Sequence, residues 1–322
     1  MAPRIRYERL ATERRNRASR ALDRLTPLQV ATLMNREDRR AVAAVGRVAR
    51  PIARAAGLIV ASLARGGRLH LVGAGTSGRL GVLEAAECPP TFGTAPGLVQ
   101  AIMAGGRGAV FRSREGAEDD GPAAARAVRR RVRAGDVVVG VSASGVTPFV
   151  LSALGAARRR GAETILVSCN PGRRRRVPAS VVVAPVTGPE VLAGSTRLKA
   201  GTATKLVLNT LTTASMARLG RVYGNRMVDV QARSAKLRAR AVRLVAELAG
   251  VTRPRARRAL AASGWRARVA IVVARHGVTA GEARGALRRA GGSLREALAV
   301  TGRGQGIRSG RRRAGAGGPA RA

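Results

Sequence analysis

The spacing of apolar residues changes twice along the chain. From residue 20 to 65 they recur at helical intervals among arginines. Thr26 followed by Pro27 predicts a helix cap and first turn, and an Ala/Val/Ile-rich stretch continues to Leu63. Five short, nearly unbroken apolar runs come next: RLHLVGAG (68–75), LVQAIMAG (98–105), DVVVGVSAS (136–144), ETILVSCN (163–170) and ASVVVAP (179–185). Helical spacing returns between several of them, notably at 121–134 and 147–160. Fully apolar strands alternating with helices predict an α/β fold, a parallel sheet flanked by helices on both faces. Such a sheet binds ligands beyond the C-terminal ends of its strands.

A long helix with few charges is expected from Ser195 to Leu219, suited to a core or a subunit interface. Beyond Val230 the pattern becomes a series of short Arg-rich helices at 233–249, 253–263, 265–276, 279–289 and 292–299. The expected organisation is therefore an N-terminal helical segment (1–65), a sheet domain (66–232) and a small C-terminal helical region (233–300). Residues 301–322, without apolar periodicity, form an Arg/Gly-rich tail expected to be disordered.

Composition narrows the function classes. A chain of 322 residues with 45% apolar side chains can bury a substantial core, and with 2% aromatics that core must be built from Ala, Val and Leu. The net charge of +42 attracts phosphate backbones of any sequence. Yet 57 of the 60 basic residues are arginine, and charge is densest in the flanks: residues 233–322 carry 22 basic and 3 acidic side chains. Without aromatic stacking platforms this predicts weak adhesion at low salt and no specific nucleic-acid partner. No apolar run is long enough for a membrane span and the N-terminus lacks an apolar leader, so a cytoplasmic protein is expected. Cys88 and Cys169 read as reduced, buried thiols, and His70 and His276 offer no metal-ligand spacing.

Gly73, Gly75 and Gly78 spell G-x-G-x-x-G after the first strand, but a dinucleotide site also needs an acid near the end of the second. That strand ends in Ala104-Gly105-Gly106. Instead, Thr76 and Ser77 stand before the following helix, where hydroxyls, backbone N–H groups and the helix dipole can surround a compact phosphate. SASGVTP (142–148) repeats this chemistry with Ser142, Ser144, Gly145 and Thr147. Each loop alone is also compatible with ordinary turn and capping roles; together they suit a sugar phosphate.

Acids are scarce, so their positions carry information. Glu87 precedes Cys88-Pro89-Pro90, which is expected to end its helix, whereas Glu84 reads as an exposed helical residue. Glu115, Glu118, Asp119 and Asp120 cluster in REGAEDDG, where Asp119 and Asp120 also fit helix capping. Glu190 shares a loop with Ser195 and Thr196 and can bind sugar hydroxyls. Lys199 and Lys205, two of only three lysines, point to a need for a compact ammonium.

GAGTSGRLGVLEAAECPPTFGT, EGAEDD, DVVVGVSASG, SCNPG, GPEVLAGSTRLKAGTATKLVLNTLTT and YGNRMVDVQA resemble, in order and spacing, the N-acetylmuramic acid 6-phosphate etherases, which are sugar isomerase (SIS) domain proteins. The GPE…GSTRLKAGT…K signature is shared with glucokinase regulatory proteins, which use the same fold to sense fructose phosphates, so a noncatalytic sensor is the alternative. The resemblance implies cleavage of the lactyl ether of N-acetylmuramic acid 6-phosphate in cell-wall sugar recycling, without metal or cofactor, by a homodimer. By the same resemblance Glu87 is the proton donor to lactate, expected in a partly desolvated pocket, and Glu118 the acid/base residue at C2. Thr76, Ser77, Gly78, Ser142, Ser144, Gly145, Thr147, Glu190, Ser195 and Lys199 are expected to hold substrate. Val146 stands where the family usually has arginine.

Overall fold

A computed structural model describes residues 10–170, 177–229 and 234–303. Its centre is a five-stranded sheet of β1 (Leu69–Gly73), β2 (Val99–Met103), β3 (Val137–Val141), β4 (Glu163–Val167) and β5 (Val181–Val183). The order is β2-β1-β3-β4-β5 and every pairing is parallel. Each strand lies within one of the five apolar runs. Burial on both faces explains why those runs do not alternate.

Two helices precede the sheet, α1 (Pro27–Gly46) and α2 (Ala49–Ala64). Thr26 caps α1 in a reciprocal capping box with Gln29. The crossover from β1 to β2 is α3 (Gly75–Phe92); that from β2 to β3 carries α4 (Gly108–Phe111) and α5 (Gly121–Arg131); α6 (Pro148–Arg159) joins β3 to β4. Val72, Ile102, Val138 and Leu166 pack against Ala124 and Val128 of α5 and Val150 and Leu154 of α6. Leu71 points the other way, onto Gly81 of α3, where an added Cβ would lie 3.2 Å from its own. The connection leaving β1 therefore runs to one side of the sheet and the one leaving β3 to the other, on opposite faces. The crevice between β1 and β3 is the topological switch point, where open α/β sheets bind ligands. At the opposite edge Asp136 braces both strands: it accepts the N–H groups of Arg68 (2.8 Å) and Arg133 (2.9 Å) and pairs with buried His70 at 3.1 Å.

After β5 comes α7 (Lys199–Arg218), which starts four residues later than expected, then the two-stranded β6 (Val222–Tyr223) and β7 (Arg226–Met227). The helices α8 (Ala235–Ala249), α9 (Arg253–Ala262), α10 (Ala267–His276), α11 (Ala280–Arg289) and α12 (Leu294–Arg303) follow the expected series. Residues up to Ser215 group into one compact unit, except Pro90–Gly93, which group with Met216 onward in a second. The second unit has its own core, including Val245, Leu260, Ile271 and Leu294. The tail is helical to Arg303; the rest of it, and the arginines 173–176, lie outside the described residues. Among the described residues no helix is long and apolar enough to cross a membrane.

Candidate active site

Both hydroxyl-bearing loops emerge at the switch point, since Gly73 at the end of β1 lies opposite Val141 at the end of β3. The first enters α3 through Gly75, whose φ is +52°. A Cβ on Gly78 would stand 2.6 Å from the Gly73 carbonyl oxygen, so this glycine allows the helix to start against the strand. Thr76 and Ser77 are half-buried in the first turn of α3, where backbone N–H groups lack intrahelical partners.

The second loop is already organised. Ser142 is buried, accepts the Gly145 N–H at 3.0 Å, and stands 2.7 Å from the Thr147 hydroxyl and 3.2 Å from that of Ser144. Gly145 has φ +74°, and a Cβ there would lie 2.7 Å from Ser168 Oγ. Ser144 and Thr147 stay half-exposed, while Val146 is buried. The Phe149 N–H donates to the Glu118 carbonyl at 2.9 Å, which ties the acidic stretch to the start of α6, two residues past Thr147. Asp120 does act as the cap of α5, accepting the Ala123 N–H at 2.8 Å. Arg79 of α3 fastens the intervening chain by donating to the carbonyls of Val110 (2.8 Å) and Ala109 (2.9 Å).

A third loop borders the first: Thr76 Cγ2 is 3.8 Å from the position of a Cβ on Gly201 in α7. Ser195 is half-buried there, and its carbonyl accepts the Leu198 N–H at 3.2 Å. Glu190 and Lys199 correct the expectation. Glu190 is 0% exposed, and its two oxygens accept the N–H groups of Lys199 and Ala200, each at 2.9 Å, so it anchors the N-terminus of α7. Burial pushes its carboxyl above the usual range, against the pull of those two N–H groups. Lys199 is 1% exposed, with Nζ 2.7 Å from Glu37 of α1. Burial raises the Glu37 carboxyl, but Lys199, Asn16 and Arg40 outweigh it and hold it below its ordinary value.

Sequence reasoning missed this framework. Asn16 donates to both Glu37 (2.8 Å) and the Pro189 carbonyl (3.3 Å), and Asn170, past β4, accepts the Ala11 N–H at 2.8 Å. The N-terminal segment thus straps the sheet edge to the loop before α7. The local signals were Asn16 in TERRNRAS, a stretch that also resembles the family, and the Asn in SCNPG.

Glu87 departs from expectation in two ways. The helix does not stop at Pro89-Pro90 but runs to Phe92, and Glu87 is exposed within it instead of lying in a pocket. It stands eleven residues beyond Thr76, roughly 16 Å along the helix axis. Glu84 is the buried one, 5% exposed, accepting from Thr212 Oγ1 at 2.5 Å and Lys205 Nζ at 3.0 Å. Glu118 is exposed as well. The chain therefore brings Thr76, Ser77, Gly78, Ser142, Ser144, Gly145, Thr147 and Ser195 to one edge, with Glu118 beside them and Glu87 apart.

Residues 51–158 match the family model of the glucokinase regulatory protein N-terminal SIS domain. Over 82% of its length the chain is 51% identical to the N-acetylmuramic acid 6-phosphate etherase of Symbiobacterium thermophilum, covering 88% of that protein. The etherase of Trichormus variabilis is 49% identical over 82% of this chain and 86% of its own. For that of Geobacillus thermodenitrificans the figures are 49%, 83% and 90%. A likeness this deep and this extended, carried by a chain whose two hydroxyl-bearing loops meet at the switch point, shows that the protein belongs to the N-acetylmuramic acid 6-phosphate etherase family.

Proposed function

We propose that the protein is the lyase its family membership implies, splitting the D-lactyl ether of N-acetylmuramic acid 6-phosphate into N-acetylglucosamine 6-phosphate and D-lactate, in the cytoplasmic recycling of cell-wall amino sugars. That membership is the observation carrying the reading; the loop pair supplies its phosphate anchor. The first turn of α3, with Thr76, Ser77 and Gly78, and the Ser142–Thr147 cluster hold the 6-phosphate with N–H and O–H donors. Ser195 faces the sugar from the third loop, while Glu190 and Lys199 act on the substrate only by fixing that loop.

The chemistry needs two proton carriers. In the ring-opened sugar the C1 aldehyde acidifies the C2 proton, and the ether oxygen on C3 lies β to that carbonyl. Glu118 removes the C2 proton, the C3–O bond breaks, and Glu87 protonates the departing lactate oxygen. Water then adds to C3 of the unsaturated aldehyde, giving its proton to Glu87, while Glu118 returns a proton to C2. Each transfer is worth about 10²–10⁴ in rate.

C3 lies five bonds of about 1.5 Å from the phosphorus, less than half of the roughly 16 Å that separates Thr76 from Glu87 along the helix. In this reading Glu87 serves the loops of a second copy, and a homodimer shields it from water beside the leaving group.

Incubation with N-acetylmuramic acid 6-phosphate in heavy water tests this. Free lactate and deuterium at C2 of the sugar product are expected. Glu118→Gln should abolish the exchange, and Glu87→Gln should suppress lactate release more than exchange. Tight fructose phosphate binding without lactate release would instead mark a sensor, and full activity in both variants would remove the two assignments.

A further inference from the structure

Lys205 has a place in this site that the mechanism above does not use. It is one of three lysines in a chain with 57 arginines. Its ammonium is held at 3.0 Å by buried Glu84 of α3 and by the Asn209 side-chain oxygen one turn further along α7. A lysine ammonium carries three donors. Glu84 and Asn209 take two, and among the described residues no acceptor takes the third, although 34% of the side chain stays exposed. The group is thus held by two acceptors and still partly exposed.

Glu87 follows its partner Glu84 on α3. Glu84 and Glu87 are three residues apart on α3, so their Cβ atoms are about 5–6 Å from each other. The buried Cys88 thiol of α3 senses all three groups. Burial pushes its thiol up to about 12, Glu84 and Glu87 push the same way, and Lys205 opposes them. A positioned cation with a free donor is therefore held by the residue one helical turn before the proposed proton donor.

Resting on that reading of Glu87, we infer that Lys205 binds the carboxylate of the lactyl group. The ether oxygen that Glu87 protonates and the lactyl carboxylate are attached to the same carbon, so a side chain serving one lies within reach of a partner for the other. Glu84 gives the ammonium its position and Asn209 its direction, while Thr212 keeps Glu84 in place. A compact ammonium, a point charge with three rotatable donors, suits this role. The phosphate loops recognise substrate and sugar product alike; Lys205 distinguishes the ether that carries lactate from the sugar without it.

The test pairs a change in the substrate with a change in the protein. The wild type should bind N-acetylmuramic acid 6-phosphate about tenfold more tightly than its lactamide, which keeps the ether but loses the charge, as for a charge-assisted hydrogen bond. In Lys205→Met the acid and the amide should bind alike, with affinity for N-acetylglucosamine 6-phosphate changed less than twofold. Because that variant leaves Glu84 buried without its cation, Glu84→Gln/Lys205→Met is measured beside it; the neutral amide can still accept from Thr212. An acid-to-amide ratio near one in the wild type overturns the assignment without any substitution. So does a tenfold ratio that survives in the variants. If the wild type releases no lactate at all, it is the etherase reading that fails.

Discussion

Lys199 and Glu37 show how far a side chain's role can lie from its local sequence. The lysine stands out as a compact ammonium in an arginine chain, and a ligand role follows naturally from its loop. Its partner is 162 residues away, inside NREDRR, a run that reads as a solvated helix face. No spacing rule links the two; only the packing of α1 on α7 does. Removing one member of a buried ion pair leaves the other charge uncompensated, at a cost of about 3–5 kcal/mol. Glu37→Gln should therefore lower the urea stability at pH 7 by about that much. Because the folded carboxyl is held below its ordinary value, its contribution is present above the unfolded pKa and lost as pH falls through the folded one. Wild type and Glu37→Gln should thus converge in acid, where Glu37 is protonated. A penalty that persists unchanged in acid would show that the pair is not what stabilises the strap. Glu37→Leu with Lys199→Met, measured at pH 7, should recover much of the loss.

At the scale of elements, α3 carries both what was readable and what was not. Its start was legible because Gly73 and Gly78 approach each other more closely than any side chain allows, and glycine spacing records such contacts directly. Gly78→Ala would force strand and helix apart. It should cost about 1–3 kcal/mol, as overpacking does, and weaken N-acetylglucosamine 6-phosphate binding in a titration by about tenfold; a variant as stable and as tight as wild type would contradict this packing. The helix's end was misread because Pro89 and Pro90 usually stop a helix. They remove donors only from the carbonyls of Ala85 and Ala86, close to the helix end, and Ala86 is exposed, so water can serve it. The extra turn also fixes which acid is buried: Glu84 faces α7 and Glu87 faces out. A sequence gives the helical period but not which neighbour each face meets. The five strands were readable from unbroken apolar runs; their order, which creates the switch point, follows only from the crossovers.

At the scale of the whole molecule, family motifs were legible along most of the chain. A shift to Arg-rich helices suggested a boundary near 232, whereas the compact grouping divides at Ser215, inside α7. Composition reports the surface a segment shows to water, not the core its apolar face joins. The same surface sets the last prediction. In the second unit Lys236, Arg240, Arg243, Arg253 and Arg257 line a cleft of about 500 Å³ whose lining includes no carboxylate. Five cations on a duplex would release counterions with a log–log salt slope of about −4.5, a loss of several hundredfold between 50 and 200 mM. Fluorescence anisotropy with a labelled duplex of arbitrary sequence should give that slope, and Arg240→Ala should reduce it by about 1. Saturating N-acetylglucosamine 6-phosphate should not displace the duplex, because its proposed anchor lies on the sheet edge of the other unit. Sequence preference, or competition by the sugar phosphate, would mean that the charge belongs to a dedicated site rather than to an arginine-rich surface.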